Sequence, residues 1–512
     1  MPEKVPFNMT DLQVDLPPYQ ADPDVWTLQQ NVEVNEGFPR RARGFGRVFG
    51  DTLFLPRYMA SGQRFGVSEF IYGGDTNLAV TDGTIHTDIT GALIWASAGA
   101  KNPWTGGTIN NITIVNNLTG PAASYVSGAA AALILPDWPL DRKAGAMRVY
   151  REFLIAMDLT DGSDRDADLI RWSDAAPPND IPQSWTAGAQ SLAGSASASF
   201  TPGDLVDGLT LREQFMIYKA HAMYVLQLVG GRLVMQTRPV FSTLGMLTRG
   251  CAVEWRGQHI VLTDGDLVIH NGVEARSLVD RRIRKAIFQG LDQDNFANSF
   301  VLLDKEQQEV WVCVPSEGNL FPDKALVWSI ADDAWGFREL GVNTWPHGVE
   351  GKIRTGLDDP LWSDRPHAWN EDSSNWSDSG ISEAFEQLVF ADAGSLIQAI
   401  GQRDDFDGVE PTAIVQRIGL DLGEPDKFKL ITRIWPKLEG PFGSVVRVRV
   451  GGQEHVNANV IWEDYQDFEI GITESLDFTT SVRFVAVEFR SETDATWRSP
   501  AFDLEVELQG RF

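Results

Sequence analysis

A turn built on Asp and Gly, flanked on both sides by apolar runs, returns along this chain and constrains its fold more than any other feature. It reads LAVTDGTIH at 78–86, IVLTDGDLVIH at 260–270 and LVFADAGSLI at 388–397. Looser copies run from Phe300 through Asp304 to Val312, and from Leu154 through Asp161 and Gly162 to Trp172. Asp and Gly tolerate the positive φ angles of tight hairpin turns, and the flanking apolar residues read as paired strands. Meanders that return at intervals of roughly 40 to 50 residues predict an all-β chain, with a β-propeller of roughly six blades over residues 51–410.

The 512 residues are 43% hydrophobic and include 17 Trp and 27 Phe, core material enough to exclude wholesale disorder. Trp outnumbers Tyr, 17 to 8, which points to packing between sheets, with sugar-stacking platforms as the alternative. A formal net charge of −28 argues against grip on nucleic acid, because phosphate binding is driven by clustered Lys and Arg. The same charge would let DNA slide past a wall without sticking, or serve solubility alone. Cys251 and Cys313 sit in apolar runs without CxxC spacing and are expected as reduced core thiols, a disulfide between neighbouring blades being the other reading. No secretory signal opens the chain, and the apolar run 129–135 is too short for a bilayer, so we expect a soluble protein made in the cytoplasm, with no membrane span.

Residues 1–50 lack clear periodicity and are punctuated by Gly and Pro. Arg40, Arg41, Arg43 and Arg47 cluster there, which predicts an extended N-terminal docking arm whose arginines pair with acidic surfaces of a partner. Through 51–410 only VDRRIRKAIF at 279–288 has helical spacing; Arg281, Arg282 and Arg284 give it either a solvated face or a partner-docking ridge. Segments 188–203, rich in Ser and Ala, and 354–382, rich in Asp, Ser, Asn and Trp, read as excursions from the blades. From 411 to 512, short strands at 414–422, 428–438, 444–450, 460–464, 482–490 and 501–508 predict a C-terminal β-sandwich-like module or a set of closing strands.

Chemistry leaves few traces. His86, His221, His259, His270, His347, His367 and His455 show no metal-ligand spacing, and His259 with His270, flanking one hairpin, read as paired rim residues rather than ligands. GxSxG and P-loop motifs do not occur, and Gly44-Phe-Gly46 lacks the strand and helix of a phosphate cradle. The acidic runs carrying Asp161, Asp164, Asp166 and Asp168, and Asp404, Asp405, Asp407 and Glu410, read either as Ca²⁺ loops or as solvated hairpin tips. Their order departs from the EF-hand and no Glu closes the first, which favours the tips. The S-x-D-x-G-x-x-W box of sialidase-type propellers does not continue from either Thr-Asp-Gly turn, so no catalytic residue, cofactor or metal is expected and the chain does not read as an enzyme.

Residues spread over most of the chain carry a resemblance. Near the N-terminus they are Asn31, Val32, Gly37, Arg40 and Arg41, leading to a turn at Gly44 and Gly46; then RWSD at 171–174 with Pro177, Trp185, Ala187 and Gly188. The fullest run reads GLTL at 208–211, FMIYKAHAMYV at 215–225, GML at 245–247, CAV at 251–253, LTDG at 262–265 and LVDRRI at 278–283, followed near the end by RFVAV at 483–487 and FDL at 502–504. In these the chain resembles the tail nozzle proteins of short-tailed bacteriophages (podoviruses), also called tail tubular or DNA-stabilisation proteins. The shared residues are structural rather than catalytic.

The resemblance implies a virion tail protein present as a hexameric ring below the portal. It would dock to the adaptor or head-to-tail connector and to tail fibres or a tip protein, and double-stranded DNA would pass through without specific binding. The chain is short for some nozzle subgroups, which implies reduced fibre-docking or tip insertions. An acidic all-β ring suits a conduit for a polyanion, since a basic wall would multiply phosphate contacts; the two acidic runs are the candidates for its lumen. The alternatives are a propeller or sandwich lectin, stacking glycan on Trp369 and Trp376, and third a propeller glycosidase.

Overall fold

In the computed structural model, which describes residues 3–64, 67–230, 234–340, 344–353, 386–493 and 495–510, the chain is all-β, and its apolar runs fold back on themselves in antiparallel groups of four strands. Seven such groups occur among the described residues. The first runs from Tyr58–Arg64 to His86–Asp88, the second from Trp104–Ile109 to Leu133–Ile134, the third from Arg142–Tyr150 to Gly194–Ser197 and the fourth from Leu205–Leu211 to Met235–Phe241. The fifth runs from Ala252–Trp255 to Ala275–Ser277 and the sixth from Phe300–Asp304 to Ala334–Glu339. The seventh begins at His347–Lys352, continues through Glu386–Asp392 and Leu396–Ile400, and takes its last strand, Phe45–Arg47, from the N-terminal segment.

The first strand of each group packs on the first strand of the next, and that of the seventh returns to the first. The core therefore divides into wedges between neighbouring groups. Ile71 and Tyr58 of the first meet Trp104 and Val115 of the second, and Trp172 and Ile155 of the third meet Phe215 and Tyr224 of the fourth. Met59 and Phe70 of the first meet Val389 and Ala399 of the seventh. Glu309–Val314 is buried at every position because both its faces are covered, which is why such strands read as solid apolar runs. Trp345 illustrates the aromatic packing: it is fully buried, its ring stacks 4.0 Å from that of Phe390, and its Nε1 donates to Gln398 Oε1 at 3.0 Å.

Each copy of the Asp-Gly phrase is a hairpin. Gly83 and Gly162 take positive φ of 98° and 61°, and Asp82 Oδ1 accepts the N–H groups of Thr84 and Ile85. The phrase falls between third and fourth strands in the first group, between second and third in the fifth and seventh, and between first and second in the sixth. Its spacing thus marks turns without counting groups, and the count is seven rather than roughly six.

Beyond residue 411 two sheets enclose one core that includes Val415, Ile431, Val448, Phe489, Phe502 and Leu504. One contains Lys429–Glu439, Leu476–Val482 and Arg498–Leu508; the other contains Ala413–Leu420, Val445–Gln453 and Phe484–Ser491. The N-terminal segment is stitched through all of this. Glu3–Phe7 pairs with Arg498–Leu508, and Leu28–Gln30 with Ala413–Leu420. Val32–Asn35 joins the sixth group at Phe337, and Phe38–Arg41 meets Arg498–Leu508. Residues 3–47 thus pair with the chain's own sheets. Gly44 is required there: a Cβ on it would lie 2.3 Å from the Arg403 carbonyl oxygen and 2.4 Å from that of Asp405.

The helical spacing at 279–288 yields one short helix, Arg284–Phe288. Segment 188–203 contributes the outer strand Gly194–Ser197. Segment 354–382, with Trp369 and Trp376, lies outside the described residues. No helix among the described residues is long and apolar enough to cross a membrane, which leaves strands unaddressed.

Candidate functional site

A cavity of about 280 Å³ lies where the first strands meet, and all seven line it, through Tyr58, Trp104, Arg148, Asp207, Ala252, Phe300 and His347. Its centre is charged. Arg148 grips Asp207 with two hydrogen bonds of 2.7 Å, and its Nη1 donates to the Gly106 carbonyl at 3.0 Å. Asp207 also accepts the N–H groups of Gly208 at 2.8 Å and Gly250 at 3.0 Å. Burial pushes the Asp207 carboxyl up, but Arg148 outweighs it and holds the group below the usual carboxylate range.

Two further groups face this pair. His347 is pushed down to about 3 by burial and then by the charge of Arg148, so it is neutral at pH 7. Its Nδ1 accepts the Met59 N–H at 3.2 Å, which leaves the proton on Nε2. Arg249 has one long hydrogen bond, 3.5 Å to the Asn102 carbonyl, and forms no ion pair among the described residues. Burial lowers its pKa, the carboxylates of Asp207 and Asp158 oppose this, and the like charge of Arg148 adds to it. The Ser299 hydroxyl, which lines the same cavity and is 2% exposed, has no hydrogen-bond partner among the described residues.

A second charged assembly seals the join between the N-terminal segment and the sixth group. Arg338 donates to Glu33 at 2.7 Å with both side chains fully buried, and its guanidinium lies 4.8 Å from the Trp311 ring centroid. Arg43 bridges Glu33 at 3.2 Å, Asp304 at 3.2 Å and Glu309 at 2.5 Å, while Arg40 reaches Glu33 and Glu309 at 3.5 and 3.4 Å. Burial raises the Glu33 carboxyl, but Arg43, Arg338 and Arg40 together hold it down at about 2. Burial pushes Glu309 up to about 7; Arg43 opposes this and the like charge of Glu33 adds to it. The two carboxyls are thus pushed in opposite directions, Glu33 down by the surrounding guanidiniums and Glu309 up by burial.

Most of the remaining predicted residues are engaged within the chain. Arg41 donates to the Asp404 carbonyl at 2.5 Å, and Arg47 pairs with Asp407 at 3.1 Å. Arg282 pairs with Asp11 and Asp333, the Arg281 carbonyl accepts Gln13 Nε2, and the Arg284 N–H donates to Asp15, so the basic ridge at 281–284 receives the chain's own N-terminal segment. In the first acidic run Asp161 pairs with Arg142 at 2.5 Å and Asp168 with the buried Lys219 at 2.7 Å, while Asp164 and Asp166 are exposed. In the second, Asp405 pairs with Arg403 at 2.6 Å, and Asp404 and Glu410 are exposed. Among the described residues no group of three or more His, Cys, Asp or Glu is placed to hold a metal ion.

Sequence reading did not single out Arg148, Asp207, Arg249, Glu33 or Arg338, each an isolated polar residue within or beside an apolar run. The signal available was a charge at a position where strand alternation demands an apolar residue, as at Asp207 and Arg338. His259 and His270 do pair across their hairpin, but buried in the wedge between the fourth and fifth groups and not at a rim, where the Tyr218 hydroxyl contacts His259 Nδ1 at 2.5 Å and His270 Nε2 at 3.0 Å. Cys251 and Cys313 are both buried and unpaired.

Compared with protein-family models and with curated proteins, the chain matches none.

Proposed function

We propose that the seven four-stranded groups are the blades of a β-propeller, that the C-terminal sheets form a sandwich, and that the whole is one subunit of a hexameric tail nozzle ring in a short-tailed phage virion. The observation that carries this reading is the pairing of residues 3–47. The N-terminal segment completes the seventh group, extends the sixth and pairs with both C-terminal sheets, so it ties the last two groups to the C-terminal sheets. Such cross-stitching suits a part that bears mechanical load and holds its shape while DNA moves past. The acidic surplus of −28 supports a wall that does not retain a polyanion. The cavity ringed by the first strands holds about 280 Å³ and is crossed by Arg148 and Asp207, so a duplex would run through a lumen built between subunits and not through one propeller. The ring would dock above to the adaptor and below to fibres or a tip protein, and act on no substrate.

Size-exclusion chromatography with light scattering tests the assembly, followed by negative-stain imaging of the product. Six copies around a passage wide enough for duplex DNA are expected. A monomer or trimer, or a ring closed at its axis in every state, would favour the glycan-binding reading, whose Trp369 and Trp376 lie outside the described residues.

A further inference from the structure

We propose that the cavity ringed by the seven first strands binds a small organic monocarboxylate. The charges facing that space leave one positive charge unmatched. Arg148 and Asp207 neutralise each other, and the two oxygens of Asp207 are fully used by Arg148, Gly208 and Gly250. His347 is neutral at physiological pH. Arg249 remains, a cation with a single 3.5 Å hydrogen bond and no ion pair among the described residues. A half-buried guanidinium with free donors favours a carboxylate, which it can hold through two parallel hydrogen bonds.

The uncharged groups around it match the same ligand. Ser299 Oγ is buried, lines the cavity and has no partner among the described residues. The Nε2–H of His347 and the hydroxyl of Tyr58 line the same space, and neither has a hydrogen-bond partner among the described residues. Hydroxyl and imidazole donors beside one cation suit one negative charge; a phosphate dianion would leave a net charge stranded in a confined site. Trp104, Leu209 and Met246 supply apolar wall for a carbon skeleton. At about 280 Å³ the cavity lies at the small end of ligand sites, which restricts the skeleton to a few carbons or one ring.

The test titrates the full chain with acetate, butyrate, pyruvate and benzoate, against phosphate and chloride at matched ionic strength, followed by thermal midpoint and by ligand-observed saturation-transfer NMR. Saturable binding of at least one carboxylate is expected, weakened by about tenfold or more in Arg249→Met and in Ser299→Ala. Should Arg249→Met fail to fold, Ser299→Ala carries the same expectation, since it removes a hydroxyl that has no protein partner. The proposal is overturned if none of the four binds saturably, if phosphate binds as tightly as the best of them, or if Ser299→Ala leaves the affinity unchanged.

Discussion

Glu33 and Arg338 lie 305 positions apart and meet as a fully buried ion pair, Nη1 to Oε1 at 2.7 Å, where the N-terminal segment lies against the sixth four-stranded group. The pair sits at the single backbone pairing that links these elements, Val32 with Phe337, so it fixes register where one ladder contact alone would not.

Arg338→Met tests that role. It leaves Glu33 buried with Arg43 and Arg40 only, and should destabilise the chain by about 3 kcal/mol, since removing one partner of a buried pair strands the other charge. The urea midpoint should fall, and limited proteolysis should cut first near residues 32–41. An unchanged midpoint would mean that the seam contributes nothing to holding the segment.

Acid should weaken the protein before its carboxylates titrate. Burial pushes His259 down to about 4, and burial with the neighbouring His259 pushes His270 to about 3. Below the unfolded value near 6.5 the unfolded chain gains protons that the folded chain refuses, so stability is full above that pH and falls as pH drops, by about 1.4 kcal/mol per unit for each histidine. His347 acts in the same direction. Glu309, raised to about 7, opposes them, because between its unfolded value and 7 the folded state holds the extra proton. Urea midpoints from pH 8 to 4.5 should therefore decline toward acid, flatten in the His259→Gln/His270→Gln variant and steepen in Glu309→Gln.

Closure by the N-terminal strand can be probed at Gly44. In Gly44→Val the new Cβ meets the backbone at 403–405, so Phe45–Arg47 should leave the edge of the seventh group. The expected result is a melting midpoint lower by several degrees and amide exchange at Leu396–Ile400 faster than at the fourth group. Uniform exchange across the groups would count against this strand as the closure.

If the ring is a conduit, its wall should carry carboxylates in excess. Pairing within the chain withdraws Asp161, Asp168, Asp405 and Asp407 from that wall and leaves Asp164, Asp166, Asp404 and Glu410 as its contributors. Replacing these four by Lys should leave ring assembly intact and slow DNA ejection, with the deficit relieved as salt is raised, since screening acts over about 8–10 Å at moderate ionic strength. Ejection at the parental rate in low salt would place these loops away from the passage.

Strand content and hairpins are legible in the sequence, because both follow from local chemistry: Asp and Gly set turns, and alternating or solid apolar runs set strands. The six strands expected after residue 411 correspond to Ala413–Leu420, Lys429–Glu439, Val445–Gln453, Ile461–Trp462, Phe484–Ser491 and Arg498–Leu508. Gln466–Glu469 and Leu476–Val482 escaped notice, being short or largely polar on one face. Tertiary structure decided the rest. The strands of residues 3–47 are two to five residues long, too short to show a period, and Glu3–Phe7, Leu28–Gln30 and Phe45–Arg47 exist because partners hundreds of positions away supply their hydrogen bonds. The same holds for charge: Arg43 and Arg148 are ordinary arginines in the chain, and only the fold sets one among Glu33, Asp304 and Glu309 and the other against Asp207. Sequence fixes which groups are charged; burial and the neighbour across the join fix what each charge can do.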